Sequence, residues 1–201
     1  DDNLTMRLLH YQIPEYGVTL GFYPHQFTQV NALMNRELVR TVMGYLAPVK
    51  GEPVLDMFCG IGNFTLPLAR AGARAVGVEA SEEAVERAKS NAGDNALASD
   101  CRFFAADLYG DAGKGQAIWS KLEATPKALI LDPPRSGAGP NLDSWVQVES
   151  LQRVVYVSCN PVTFAEDAKV LAASGYVLQQ VGVYDMFPGT AHVETVGLFS
   201  R

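Results

Sequence analysis

From Pro53 onward the chain alternates short apolar runs with amphipathic stretches, and this rhythm restricts its fold more than any other feature. The runs at 53–57 (PVLDM), 74–79 (RAVGVE), 101–105 (CRFFA), 127–131 (KALIL) and 153–158 (RVVYVS) have strand length, with helical patterns such as SEEAVERAKSNA between them. Apolar strands joined by helical crossovers imply parallel strands buried on both faces. Two later candidates, 176–184 (YVLQQVGVY) and 192–199 (HVETVGLF), lie too close for a helical crossover and predict an antiparallel pair at one edge. The expected fold is α/β: a doubly wound, mostly parallel seven-stranded sheet finished by an antiparallel C-terminal hairpin. Residues 4–23 alternate loosely around Pro14-Glu15-Tyr16-Gly17 and predict a short N-terminal β-hairpin, and a helix is expected from about Thr28 to Ala47.

In such sheets ligands sit at the carboxyl ends of the strands. The first strand, VLDM, runs into FCGIGNF, where Gly60 and Gly62 permit positive φ and close backbone approach. A helix beginning near Asn63 would turn its amide groups toward a ligand. Glu79 ends the second strand, where an acid holds ribose hydroxyls, and Asp107 ends the third, within reach of an adenine amino group. A dinucleotide site would prefer GxGxxG, but the third position here is Thr65. Asp56, near the end of the first strand, would repel a pyrophosphate and suits the positive charges of S-adenosylmethionine. These residues predict an S-adenosylmethionine pocket of the methyltransferase type.

The fourth strand ends in LDPPRSG, a rigid proline loop that presents Asp132 beside that pocket. The fifth ends at Cys159, and Asn160 followed by Pro161 reads as N-cap and first residue of a helix over PVTFAEDAKVLAAS, stopped by Gly175. A thiol at a helix start is expected to ionise more readily. By position alone a cysteine is more often an inert core residue, and Cys59 and Cys101 are read that way. Three cysteines with no CxxC pair argue against a disulfide framework or zinc site, and three scattered histidines do not suggest a metal site. A net charge of −6 counts against a stand-alone nucleic-acid binder. No apolar run reaches membrane-spanning length and the N-terminus lacks a signal-peptide layout, so a cytoplasmic protein with no membrane partner is expected.

The segments FYPHQFTQVN, DMFCGIGNFTLPLA, GVEAS, LDPPRSG, VVYVSCNP and MFPGTAHVETV occur in this order. Together they resemble the RNA (uracil-5-)-methyltransferase family, in particular its bacterial 23S ribosomal RNA branch, from about residue 8 to 201. The resemblance implies a Rossmann-like methyltransferase sheet and methyl transfer from S-adenosylmethionine to C5 of a uridine in RNA. Cys159 would add to uracil C6, Glu194 would remove the C5 proton, and Asp132 would hydrogen-bond the uracil edge. Gln29, Phe58, Asn63, Glu79 and Asp107 would surround the cofactor, with Gln29 and Asp132 near the methyl-donor end. The uridine must be single-stranded or flipped out. His192, two residues before Glu194, is a candidate to orient that carboxylate.

Members of the ribosomal branch resemble proteins with a basic oligonucleotide-binding domain and four cysteines holding an iron–sulfur cluster, and neither is found here. The expected organisation is therefore residues 1–27 as the tail of a central domain and 28–201 as the catalytic domain. That piece is expected to act as a monomer, to bind S-adenosylmethionine and to bind RNA weakly. Three other readings stay open: a non-catalytic cofactor- or RNA-binding fragment, a transfer-RNA enzyme, and a thiol hydrolase built on Cys159 and His192.

Overall fold

In the computed structural model, residues 7–29, 31–110, 118, 122–186, 189 and 193–201 are described. An N-terminal hairpin, β1 (Leu9–Ile13) and β2 (Val18–Phe22), is joined by a short turn and forms its own antiparallel sheet. After α1 (Ala32–Leu46) come β3 (Pro53–Met57), α2 (Thr65–Arg70), β4 (Arg74–Glu79), α3 (Glu82–Asp94) and β5 (Cys101–Ala105). The second half supplies β6 (Ala128–Leu131), α4 (Leu142–Val146), β7 (Arg153–Ser158), α5 (Pro161–Ala173), β8 (Val177–Tyr184) and β9 (Glu194–Ser200). The seven strands β3 to β9 form one sheet in the order β5-β4-β3-β6-β7-β9-β8. The first five run parallel, and β9 lies antiparallel between β7 and β8. Strand order reverses between β3 and β6, which opens a crevice at their carboxyl ends.

Alternation within the strands supplies both faces of the core, because successive side chains point to opposite sides. Val54, Ala128, Ile130, Val155 and Val157 pack on one face with residues of α1, α2 and α3. Leu55, Met57, Leu129, Leu131, Val154 and Tyr156 pack on the other, with Trp145 of α4 and Phe164 and Leu171 of α5. The hairpin is fastened to the first layer: Ile13, Val18 and Leu20 are buried in it. Asn91 and Asn95 of the α3 end accept the amides of Gly21 (2.8 Å) and Thr19 (2.9 Å).

Two local differences from the sequence pattern bear on the site. Helix α1 begins at Ala32 rather than Thr28, because Asn31 caps it by accepting the Met34 amide at 3.1 Å. Residues 25–29 are thereby left as a loop along the crevice. Helix α4 was not anticipated: at five residues it is too short to show a 3.6-residue period. Among the described residues no helix is long and apolar enough to cross a membrane.

Candidate active site

A cavity of about 570 Å³ opens at the carboxyl ends of β3, β4, β6, β7 and at the first residue of β9. One end is built by the turn after β3. Phe58 leaves the strand with φ 64°, a left-handed conformation that costs a non-glycine residue roughly 1–2 kcal/mol. Gly60 (φ 52°) and Gly62 (φ 97°) continue the turn. A Cβ on Gly60 would meet only open space on the cavity side, whereas one on Gly62 would press on Leu66 at 3.3 Å. Glu79 locks the turn to the end of β4: its Oε2 accepts the Gly60 amide (3.1 Å), and its Oε1 accepts those of Ala80 (2.8 Å) and Ser81 (3.0 Å). Phe58 packs against Tyr109 and Trp145 at ring-centroid distances of 5.9 and 6.0 Å, giving this end an aromatic wall.

Asn63 lines the same end, but most of its amide is committed. Its Oδ1 accepts from Tyr11 Oη and Asn35 Nδ2, both at 2.9 Å, and its Nδ2 donates to Asn35 Oδ1 at 3.0 Å. Opposite stands the 25–29 loop, with His25, Gln26, Phe27 and Gln29 on the wall. His25 Nε2 lies 2.5 Å from Glu83 Oε1, and Gln26 also donates to that oxygen at 3.1 Å, which ties the loop to the start of α3.

The other end is acidic and carries the thiol. Asp132 follows β6, Cys159 follows β7 and Glu194 opens β9, and all three line the cavity. Among the described residues nothing hydrogen-bonds the side chains of Asp132 or Glu194, and both residues line the cavity. Glu194 is only 5% exposed, and burial pushes its carboxyl up to about 7. Burial also holds the Asp132 carboxyl well above the usual range, reinforced by the charges of Glu194 and Asp56. Asn160 caps α5 as the sequence pattern implies, its Oδ1 accepting the Val162 amide at 3.1 Å.

The cap does not make Cys159 more acidic. Burial raises the thiol, Glu194 and Asp132 raise it further, and Arg135 with a backbone hydrogen bond opposes them only in part. Two first-turn amides are not available to it: Pro161 has none and Val162 gives its own to Asn160. Cys159 is nevertheless the one half-exposed cysteine, since Cys59 and Cys101 are buried and burial raises both thiols.

Most of the residues singled out in the sequence meet in this one cavity: Gln29, Phe58, Gly60, Asn63, Glu79, Asp132, Cys159 and Glu194. Gly62 stands behind the wall as part of the turn. Asp107 is exposed at the rim, where its Oδ1 accepts the Tyr109 amide at 3.0 Å; its neighbours Leu108 and Tyr109 form the wall instead. Asp56 requires a correction. It is fully buried beneath the turn, where Thr65 Oγ1 donates to it at 2.5 Å, and burial raises its carboxyl to about 7. It does not face the cavity, so its charge is not what would select against a pyrophosphate. His192 lies outside the described residues. Sequence reasoning missed Tyr109, Phe27 and Arg135 as wall residues; an aromatic beside Asp107 and the arginine of DPPR were the available signals.

The donor set suits a positively charged adenosine derivative. One end offers an anchored acid and an aromatic wall; among the described residues the other has no Lys or Arg except Arg135, and no group of three or more His, Cys, Asp or Glu could hold a metal ion. Residues 10–201 match the sequence profile of the tRNA (uracil-5-)-methyltransferase family. The chain is 47% identical to the 23S rRNA (uracil(1939)-C(5))-methyltransferase RlmD of Hahella chejuensis, over 96% of this chain and 43% of that protein. The corresponding protein of Nitrosospira multiformis is 45% identical, over 96% and 44%. The chain thus spans less than half the length of these curated relatives. Among solved structures, the Pyrococcus abyssi tRNA (uracil-54, C5)-methyltransferase in complex with S-adenosyl-L-homocysteine superposes with a TM-score of 0.80 at 33% identity, over 96% of this chain and 44% of that one. By sequence and by fold, the chain belongs to the tRNA (uracil-5-)-methyltransferase family.

Proposed function

We propose that the chain is the catalytic part of an S-adenosylmethionine-dependent RNA methyltransferase acting on C5 of a uridine, with 23S ribosomal RNA as the target class. The observation that carries this reading is the meeting of Cys159, Asp132 and Glu194 on one wall of the cavity whose opposite end is built by Gly60 and Glu79. Relatives 45–47% identical over 96% of this chain support the choice of substrate. We place the reaction in the cytoplasm, because the named relatives are bacterial enzymes of ribosomal RNA. We further propose that residues 28–201 form the catalytic unit and 1–27 an appendage laid on it. That boundary passes through the cavity wall, since His25, Gln26 and Phe27 line it together with Gln29.

Glu79 would take the ribose hydroxyls, Phe58 would stack against the adenosine, and Gln29, Gly60 and Asn63 would flank the rest of the cofactor, with Asp107 at the rim. When bound, S-adenosylmethionine supplies an electrophilic methyl group. The chain's own work is to make C5 of the uracil nucleophilic. Cys159, as thiolate, adds its electron pair to C6, and the C5–C6 π electrons move toward O4 to give an enolate. Asp132, its carboxyl raised well above the usual range by burial, donates in its protonated form to the uracil edge and steadies that charge. After C5 is methylated, Glu194 as carboxylate removes the C5 proton. The electrons of that C–H bond re-form C5=C6 as the C6–S bond breaks and the thiolate leaves. A carboxyl near 7 is matched to this step, being charged often enough to act and basic enough to accept.

RNA containing 5-fluorouridine tests the reading, because fluorine at C5 cannot be removed as a proton. The expected result is a covalent RNA–protein species that survives denaturation and is absent in Cys159→Ala. Cofactor binding with no trapped species at high RNA concentration would leave the chain a binding fragment. The net charge of −6 predicts weak RNA affinity for this chain alone, so millimolar-range fragments or high concentrations are the proper conditions.

A further inference from the structure

The loop after β6 carries Asp132 and Arg135, and the turn after β7 carries Cys159. β6 and β7 are adjacent parallel strands, in register at Leu131 and Tyr156, so the two loops leave the sheet side by side. Their side chains share the cavity wall, but sheet hydrogen bonds end before either loop begins. What joins the loops beyond the sheet is a side chain. Asn160 Nδ2 donates to the Arg135 carbonyl at 3.0 Å while Asn160 Oδ1 holds the Val162 amide. Thr163 Oγ1 backs up the same carbonyl at 3.3 Å. The far end of the loop is held separately: Asp167 Oδ2 accepts the Ala138 amide at 2.8 Å, and Tyr109 Oη donates to the Gly137 carbonyl.

We propose that Asn160 is a positioning residue whose carboxamide fastens the Asp132–Arg135 loop to the start of the helix after Cys159, so that thiol, carboxyl and guanidinium keep one geometry. A plain helix cap needs only the acceptor oxygen; serine caps as well as asparagine and has no amide to reach across. The donor half of Asn160 is therefore what the loop-to-loop contact requires. Among the described residues Arg135 is the only Lys or Arg on the cavity wall and the one side-chain charge that favours the thiolate against Glu194 and Asp132. Losing its placement exposes Cys159 to the two acids unopposed. The inference deepens the proposed methyl transfer and rests on it for its catalytic meaning, but its test needs neither RNA nor cofactor.

The experiment is the pH profile of Cys159 carbamidomethylation by iodoacetamide, resolved by peptide mass spectrometry in the 201-residue chain. Asn160→Ser is expected to slow the reaction by about threefold or more near neutral pH and to move the profile to higher pH, with the melting temperature kept by the serine cap. Arg135→Gln is expected to do the same, and the double variant to be no slower than either single one, because both act through one contact. Unchanged alkylation in Arg135→Gln overturns the proposal whether or not Asn160→Ser folds well. Additive slowing in the double variant overturns it too, since Asn160 would then act without Arg135. If alkylation behaves as expected while 5-fluorouridine trapping fails, the positioning role stands and the methyl-transfer reading falls.

Discussion

The two ends of the cavity solve opposite problems. At the end built by β3 and β4, the polar groups are already engaged by the chain: Glu79 collects three backbone amides and Asn63 is paired with Asn35 and Tyr11. At the end built by β6, β7 and β9, no described residue hydrogen-bonds the side chains of Asp132 or Glu194, and burial pushes both carboxyls upward. A group whose bonds are satisfied holds its shape without ligand and suits recognition. A buried carboxyl is costly to charge, and for Glu194 that cost raises its proton affinity to about 7. The proposed function would thereby separate binding from proton chemistry along one crevice.

The sharpest way to break this comparison is to remove the proposed nucleophile. Cys159→Ala is expected to abolish 5-fluorouridine trapping and cut turnover by about 10³-fold or more, while calorimetry finds cofactor affinity within about twofold. An equal loss of cofactor affinity would mean that the ends are not independent. Glu194→Gln comes next: turnover should fall by about 10² to 10⁴, the usual contribution of a general base, with the Cys159 adduct accumulating rather than disappearing. In the parent protein the turnover rate should climb through about pH 7 as Glu194 ionises, and this limb should vanish in the glutamine variant.

The same substitution has a stability signature. A carboxyl raised in the folded state favours folding while it is protonated, and that advantage is lost as pH rises through about 7. Glu194→Gln should therefore melt close to the parent at pH 5 and higher than it at pH 8, on a scale of about 2–4 °C per kcal/mol for a chain of this size. Differential scanning fluorimetry at the two pH values decides the matter.

At the opposite end, Glu79→Gln should weaken cofactor binding about tenfold to a hundredfold, because a charged acceptor becomes a neutral one, and leave Cys159 alkylation unchanged. The smallest effect is expected at the rim. Asp107→Ala should cost about fivefold in cofactor affinity, since an exposed hydrogen bond competes with water. A loss as large as that at Glu79 would place the adenine deeper against Asp107 than the exposed carboxylate suggests.

Much of the fold could be read from local pattern. The boundaries of the strands at 53–57, 74–79, 101–105 and 153–158 coincide with the apolar runs, because buried parallel strands need continuous apolar sequence. Asn160 before Pro161 marked the start of α5 through cap chemistry that acts over two or three residues. Helix α4 and the late start of α1 were hidden, the first by its length and the second by a cap at Asn31 that only the folded loop reveals.

The sequence by itself determined the order of strands and helices, the turn at Gly60 and Gly62, and which residues stand at the strand ends, since these follow from periodicity and turn chemistry along a few neighbouring residues. Only the tertiary structure decided what those residues are. It buried Asp56 beneath the turn and set Asp132 and Glu194 on the cavity wall. It also raised the thiol of Cys159, where a helix start alone suggested the reverse. Proton affinity depends on solvent exclusion and on charges brought in from distant strands, and neither is written in the residues next along the chain.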